Sequence, residues 1–98
     1  MVKRRKKELE VKFSSKYKKD FKKYRNNPAK VKKIYEVVDM LRKEMPLPKE
    51  YKPHMLIGNY KGYMECHIDS DLLLIWWDKE EGVVTLVRLG SHSKLFNR

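Results

Sequence analysis

The stretch GYMECHIDSDLLLIWWDKEEGVVTLVRL, residues 62–89, decides the fold. It holds three runs rich in aliphatic, aromatic and β-branched residues, at 62–68, 72–78 and 83–89. Asp69-Ser70-Asp71 and Lys79-Glu80-Glu81-Gly82 separate them, and both breaks have turn composition. Connections this short join neighbours that run in opposite directions, so the three runs predict an antiparallel meander. Cys66 and His67 are adjacent within the first run and therefore face opposite sides of the sheet. Cys66 reads as a small buried hydrophobe. His67 then shares the polar side with Glu65 and Asp69.

Outward from the meander the period changes. Residues 46–59 read as a loop that contains His54, bounded at its start by Pro46 and Pro48. Before it, Val31, Ile34, Tyr35, Val38, Leu41 and Met45 recur at helical spacing, and Asn26-Asn27-Pro28 supplies a cap and a preorganised first turn. A shorter stripe, Tyr17, Phe21 and Tyr24 at i, i+4, i+7, predicts an earlier helix that Ser14 or Ser15 can cap. Leu9, Val11 and Phe13 alternate with Glu10 and Lys12, which predicts a first strand. Residues 1–8 read as a flexible basic arm, and 91–96 as a short tail. The order β-α-α-β-β-β is an α+β domain, a small antiparallel sheet with a two-helix hairpin on one face.

A chain of 98 residues and 11.9 kDa fits one domain spanning 1–98. Its 41% hydrophobic and 11% aromatic residues suffice for a core. The single Cys66 excludes an internal disulfide framework and a thiolate zinc cluster. The longest apolar run, 72–77, is far short of the roughly 18 residues that cross a bilayer. The basic start runs into Glu8 and Glu10 with no apolar stretch behind it, so the expected location is cytoplasmic, with no membrane partner.

The net charge of +11 is unevenly placed. Residues 1–50 carry 18 Lys and Arg against 7 Asp and Glu, whereas residues 51–98 carry 6 of each. Such a one-sided field attracts polyanions, nucleic acid above all. The neutral half holds all three histidines, His54, His67 and His92, and also Asp71 and Arg88. Arg88 near the end of a buried run needs an anion, which is either a fixed internal carboxylate or a bound phosphate. The histidines, Asp71 and Arg88 would meet on one edge of the meander. No histidine pair has the spacing of a helical metal motif, and no Walker loop or dinucleotide fingerprint is present. No metal or cofactor is expected.

The segments Leu47-Pro-Lys-Glu-Tyr-Lys-Pro-His54-Met-Leu-Ile-Gly58, Tyr60-Lys-Gly-Tyr63, Glu65-Cys-His67-Ile68, Asp71-Leu-Leu-Leu-Ile75 and Val87-Arg88-Leu-Gly90-Ser-His92-Ser-Lys-Leu95-Phe96 resemble the YafQ branch of the RelE-type bacterial toxins. The likeness covers residues 12–96. It implies a RelE-like fold and the toxin of a type II toxin–antitoxin pair, an endoribonuclease that cuts messenger RNA on the translating ribosome. The implied site is His54, His67, Asp71, Arg88, His92 and Phe96. The implied partners are a DinJ-like antitoxin, the ribosome and mRNA, with operator DNA only through the antitoxin complex. Relatives can carry an aromatic residue after the aspartate where this chain has Leu72, so Phe96 or the exposed member of Trp76/Trp77 is the expected substitute.

Metal-free RNA cleavage needs a base for the ribose 2′-hydroxyl, an acid for the departing 5′-oxygen and positive charge on the phosphorane. Histidine, with a free pKa of about 6.5, can take either proton role. This assigns His92 as acid, Arg88 as clamp, His54 or Asp71 as base, and His67 as orienting group. Lys16, Lys18, Lys19, Lys22, Lys23, Lys30, Lys32 and Lys33 would contact RNA phosphates. The competing expectations are a ParE-like gyrase inhibitor of the same fold, and an RNA-binding module whose histidines are structural.

Overall fold

The computed structural model describes residues 8–96, so the expected basic arm lies outside it except for Glu8. Five strands form one sheet in the order β1-β5-β4-β3-β2: β1 (Glu10–Phe13), β2 (His54–Met55), β3 (Met64–Asp69), β4 (Leu72–Trp77) and β5 (Val83–Gly90). The helices are α1 (Ser15–Phe21), α2 (Pro28–Arg42) and α3 (His92–Phe96). The α+β class and the meander β3-β4-β5 stand as expected, with antiparallel pairing at both of its joints. Three features differ from the sequence reading. β1 lies beside β5 in parallel, so the sheet is mixed. The loop before the meander hides the two-residue strand β2, antiparallel to β3. The expected tail is the helix α3.

Local chemistry accounts for the helix starts. The Ser14 hydroxyl accepts the Tyr17 N–H at 2.9 Å, and the Asn27 carboxamide oxygen accepts the Lys30 N–H at 3.2 Å, with Pro28 at the first turn. Regular α1 stops at Phe21, earlier than the Tyr17-Phe21-Tyr24 stripe suggests. The chain tightens there into i→i+3 bonds, Lys23 N–H to Asp20 carbonyl and Tyr24 N–H to Phe21 carbonyl.

The main core lies between α1–α2 and one sheet face. Tyr17, Ile34 and Val37 pack there on Cys66, Ile68, Leu72, Leu74, Trp76, Val84, Leu86 and Leu89. Each buried aliphatic of this set contributes about 1.5–3 kcal/mol against exposure. The opposite face carries a smaller cluster, Leu73, Ile75 and Leu95, flanked by Leu56, Tyr60, Tyr63, Val87 and Phe96. Burial pushes the Cys66 thiol up to about 12, with the Glu65 charge adding to it, which makes it a packing group and not a nucleophile. No helix among the described residues is long and apolar enough to cross a membrane.

Candidate active site

Strand register places the expected residues. His54 on β2 pairs with Glu65 on β3, Glu65 with Ile75 on β4, and Ile75 with Arg88 on β5. Paired residues share a face, so His54, Glu65 and Arg88 form one row on the face opposite α1 and α2. Three strand spacings of about 4.8 Å separate its ends, roughly 14 Å between backbones. A second row, His67–Leu73–Gly90, lies beside the first. Gly90 ends β5 where α3 crosses: a Cβ there would stand 3.2 Å from Leu95 Cδ2. With Leu95 seated on that spot, α3 sets His92 and Phe96 at the edge of the same face, their ring centroids 4.9 Å apart. Aromatic contacts continue from Phe96 to Tyr60 at 5.9 Å, to Tyr63 at 5.8 Å and to Trp77 at 4.6 Å.

Two acids define the electrostatics, and neither was among the expected catalytic residues. Glu65 is 4% exposed, and its Oε1 lies 3.2 Å from His54 Nε2. His54 Nδ1 lies 2.8 Å from the Lys52 carbonyl oxygen. A carbonyl only accepts, so with the hydrogen on Nδ1 the imidazole turns Nε2 toward Glu65, where a further proton can be held between Nε2 and Oε1. Glu65 Oε2 is buried with no hydrogen-bond partner among the described residues. Asp20, on α1, is 6% exposed and accepts from Arg88 Nε at 2.8 Å, Arg88 Nη2 at 3.2 Å and the Leu89 N–H at 2.9 Å. Of the two anions the sequence allows for Arg88, the internal carboxylate is present. Hydrogen bonding to Asp20, with a smaller contribution from Tyr60, outweighs burial and holds the guanidinium pKa above its ordinary value.

Several expectations are corrected by geometry. Asp69 does not share a face with His67, because a bulge between them shifts the register and Asp69 pairs with buried Leu72. Its carboxylate meets Lys30 at 3.0 Å and Lys33 at 4.0 Å. Asp71 sits exposed on the β3–β4 turn, its backbone N–H donating to Asp69 Oδ1 at 3.2 Å. Among the described residues its carboxylate hydrogen-bonds no histidine, while its charge helps raise Tyr24, whose burial is the larger cause. Leu72 is 1% exposed in the helix-side core, so that position cannot offer a side chain to RNA. Trp76 is buried on the helix side, and Trp77 is the half-exposed member, against Tyr63 and under Lys79. Lys32 pairs with Glu36, whereas Lys16, Lys18, Lys19, Lys22 and Lys23 have no carboxylate partner among the described residues.

Among the described residues, no group of three or more His, Cys, Asp or Glu side chains converges to hold a metal ion. A depression of about 1170 Å³ lies near Leu9, Met45, Trp76 and Glu80, and none of the expected catalytic residues or RNA-contacting lysines line it.

This geometry has known counterparts. Residues 9–97 match the family described as the bacterial toxin of type II toxin–antitoxin system, YafQ. The mRNA interferase toxin YafQ of Escherichia coli strain K12 is 31% identical over 88 residues, covering 89% of this chain and 95% of that protein. A metal-bound toxin from Helicobacter pylori superposes with a TM-score of 0.80 at 45% identity, covering 90% of this chain and 99% of the other. The toxin of the E. coli DinJ–YafQ toxin–antitoxin complex superposes with a TM-score of 0.80 at 30% identity, covering 91% of this chain and 98% of the other.

Proposed function

The chain belongs to the YafQ family of toxins of bacterial type II toxin–antitoxin systems, and from that premise we propose that it is an endoribonuclease cutting messenger RNA on the translating ribosome. The observation that supports this most is the assembly, on one sheet face, of an acid–histidine pair at 3.2 Å, a fixed guanidinium and a helix-borne histidine. Those are the groups that metal-independent cleavage requires. The ribose 2′-oxygen attacks the neighbouring phosphorus as its proton passes to His54 Nε2, where the Glu65 carboxylate 3.2 Å away stabilises the imidazolium formed. The phosphorus–5′-oxygen bond breaks, and His92 gives its proton to the leaving oxygen. Arg88 balances the charge on the phosphorane. The products are a 2′,3′-cyclic phosphate and a 5′-hydroxyl. His67, half-buried in the adjacent row, orients the ribose, and Phe96 stacks on a base.

Position in this scheme favours the His54–Glu65 pair over Asp71 as the proton acceptor, because register puts the pair in line with Arg88. The unpaired lysines of α1 and the turn after it would meet ribosomal RNA. A DinJ-like antitoxin covers the basic and apolar surface of α1, α2 and the end of β1, where Phe13 is 48% and Tyr35 58% exposed, and the toxin reaches operator DNA only within that complex. The test is to map RNA ends after incubation with and without programmed ribosomes. Codon-phased cuts bearing cyclic phosphate, found only with ribosomes and reduced about 10²-fold or more in His92→Ala, are the expected result. Unphased cuts without ribosomes would keep the nuclease and remove the ribosome requirement. No cuts from folded protein would favour a gyrase inhibitor or a non-catalytic RNA-binding module.

A further inference from the structure

Arg88 is gripped by Asp20 along one edge. Its Nε donates to Asp20 Oδ2 and its Nη2 to Asp20 Oδ1, at 2.8 and 3.2 Å. Those donors make up the side edge of the guanidinium fork. The end edge, formed by Nη1 and the second hydrogen of Nη2, presents two parallel N–H groups that match a phosphate. Asp20 is itself immobilised. Its side chain is 8% exposed, and Oδ2 also accepts the Leu89 N–H at 2.9 Å. α1 reaches β5 here because β1 ends at Phe13 and leaves the β5 edge open beyond Leu86. The Ser14 hydroxyl seals the first open group, donating to the Val87 carbonyl at 2.7 Å, and Asp20 seals the next.

Positive charge gathers around this buried acid. The Tyr60 hydroxyl lies near the guanidinium and helps to hold its pKa up. Lys23 lies one turn beyond Asp20, its N–H bonded to the Asp20 carbonyl, and Lys94 of α3 packs at Gly90, two residues past Arg88; the nearness of Lys94 is the main cause of the lowered Lys23 pKa. Neither lysine has a carboxylate partner among the described residues. Like charges held together beside an arginine attract a polyanion.

We propose that Asp20 is a positioning residue for phosphate capture, holding Arg88 by its side edge so that the end edge, flanked by Lys23 and Lys94, receives the phosphodiester to be cut. This rests on the nuclease reading above and adds to it a residue of α1 and a cationic rim. Asp20 does not touch the substrate. It acts through Arg88 by removing the rotamer freedom that a long side chain would otherwise lose in the transition state.

Asp20→Asn separates this role from a purely structural one. The amide oxygen in the place of Oδ2 can still accept from Leu89 and from Arg88 Nε, but the NH₂ group in the place of Oδ1 cannot accept from Nη2. We expect this variant to fold, to bind programmed ribosomes within about threefold of wild type, and to lose about 10- to 100-fold in single-turnover cleavage. Added to Arg88→Ala, it should cost nothing more, because both changes remove one clamp. Equal loss in both backgrounds, tracking the melting temperature, would overturn the proposal. So would wild-type cleavage by Asp20→Asn. If wild-type protein cuts no RNA, the nuclease reading has failed, and NMR of the Arg88 guanidinium N–H groups decides the positioning by itself. Slowly exchanging guanidinium N–H signals that shift with a 2′-deoxy-blocked RNA oligonucleotide, with the Nη2–H signal lost in Asp20→Asn, sustain it. Signals indifferent to the oligonucleotide, or an Nη2–H signal unchanged in Asp20→Asn, overturn it.

Discussion

Glu65 shows how much chemistry one side chain can hold. It is a carboxylate in a buried strand position, and burial of an unpaired charge there is costly. The His54 imidazole, with Nε2 3.2 Å from Oε1, offsets part of that cost whenever it carries a proton there. The other oxygen has no partner among the described residues, which is unusual for a buried polar atom and marks the position as serving something besides stability. Glu65→Gln keeps the shape, and its amide can donate to a neutral His54 Nε2, but the pair then has no carboxylate to stabilise the imidazolium. We expect the variant to unfold within about 1 kcal/mol of wild type, as for one exchanged hydrogen bond, and to cleave about 10²- to 10⁴-fold more slowly. Denaturant unfolding beside single-turnover cleavage checks both values. Wild-type cleavage would make the pair a packing device. The alternation of β3 already puts Glu65 with His67 on the polar side. Its partnership with His54 stays hidden in sequence, because a two-residue strand has no periodicity to read and its register alone brings the histidine across.

Among the elements, the legible ones are those whose period runs long enough. α2 repeats its apolar residues over 15 positions, and β4 and β5 are apolar runs closed by turn residues, so all three can be read directly. What escapes are the breaks in period. The bulge between His67 and Asp69 turns Asp69 toward α2, and a strict alternation assigns it to the wrong face. There it tethers the β3–β4 hairpin to the helix layer through Lys30. Burial alone would raise the Asp69 pKa, but the Lys30 ammonium and the Asp71 N–H outweigh it and leave the group below its ordinary value. The sign follows from the lowered folded value: the tether is at full strength above the unfolded pKa of about 3.9 and is lost as pH falls through the folded pKa. Asp69→Asn should therefore cost about 1 kcal/mol at pH 7, and the gap to wild type should narrow progressively below about pH 4. Urea unfolding across that range measures it. A gap independent of pH would mean that the ion pair contributes nothing.

Across the whole molecule the two charge populations occupy different layers. The basic helices cover one sheet face, and the titratable row occupies the other. Composition reveals the imbalance, but it cannot say which cations are free, since ion pairing depends on partners distant in sequence. Lys30 and Lys33 answer to Asp69, and Lys32 to Glu36, so three of the eight expected RNA contacts are already partly neutralised. Lys16, Lys18, Lys19 and Lys22 have no such partner among the described residues and stand exposed on α1 and its C-terminal cap. Reversing these four to Glu should weaken ribosome association and flatten its salt dependence. At roughly 0.7–0.9 units of log–log slope per phosphate contact, complete loss of four contacts removes about three units. Reversing Lys32 alone should change the slope by well under one unit, because Glu36 already screens it. Binding measured from about 50 to 200 mM salt distinguishes these outcomes. Equal slopes for the fourfold variant and wild type would show that α1 presents a solvated face to the ribosome, and the docking charge would then have to lie with Arg88, Lys94 and the other groups around the site.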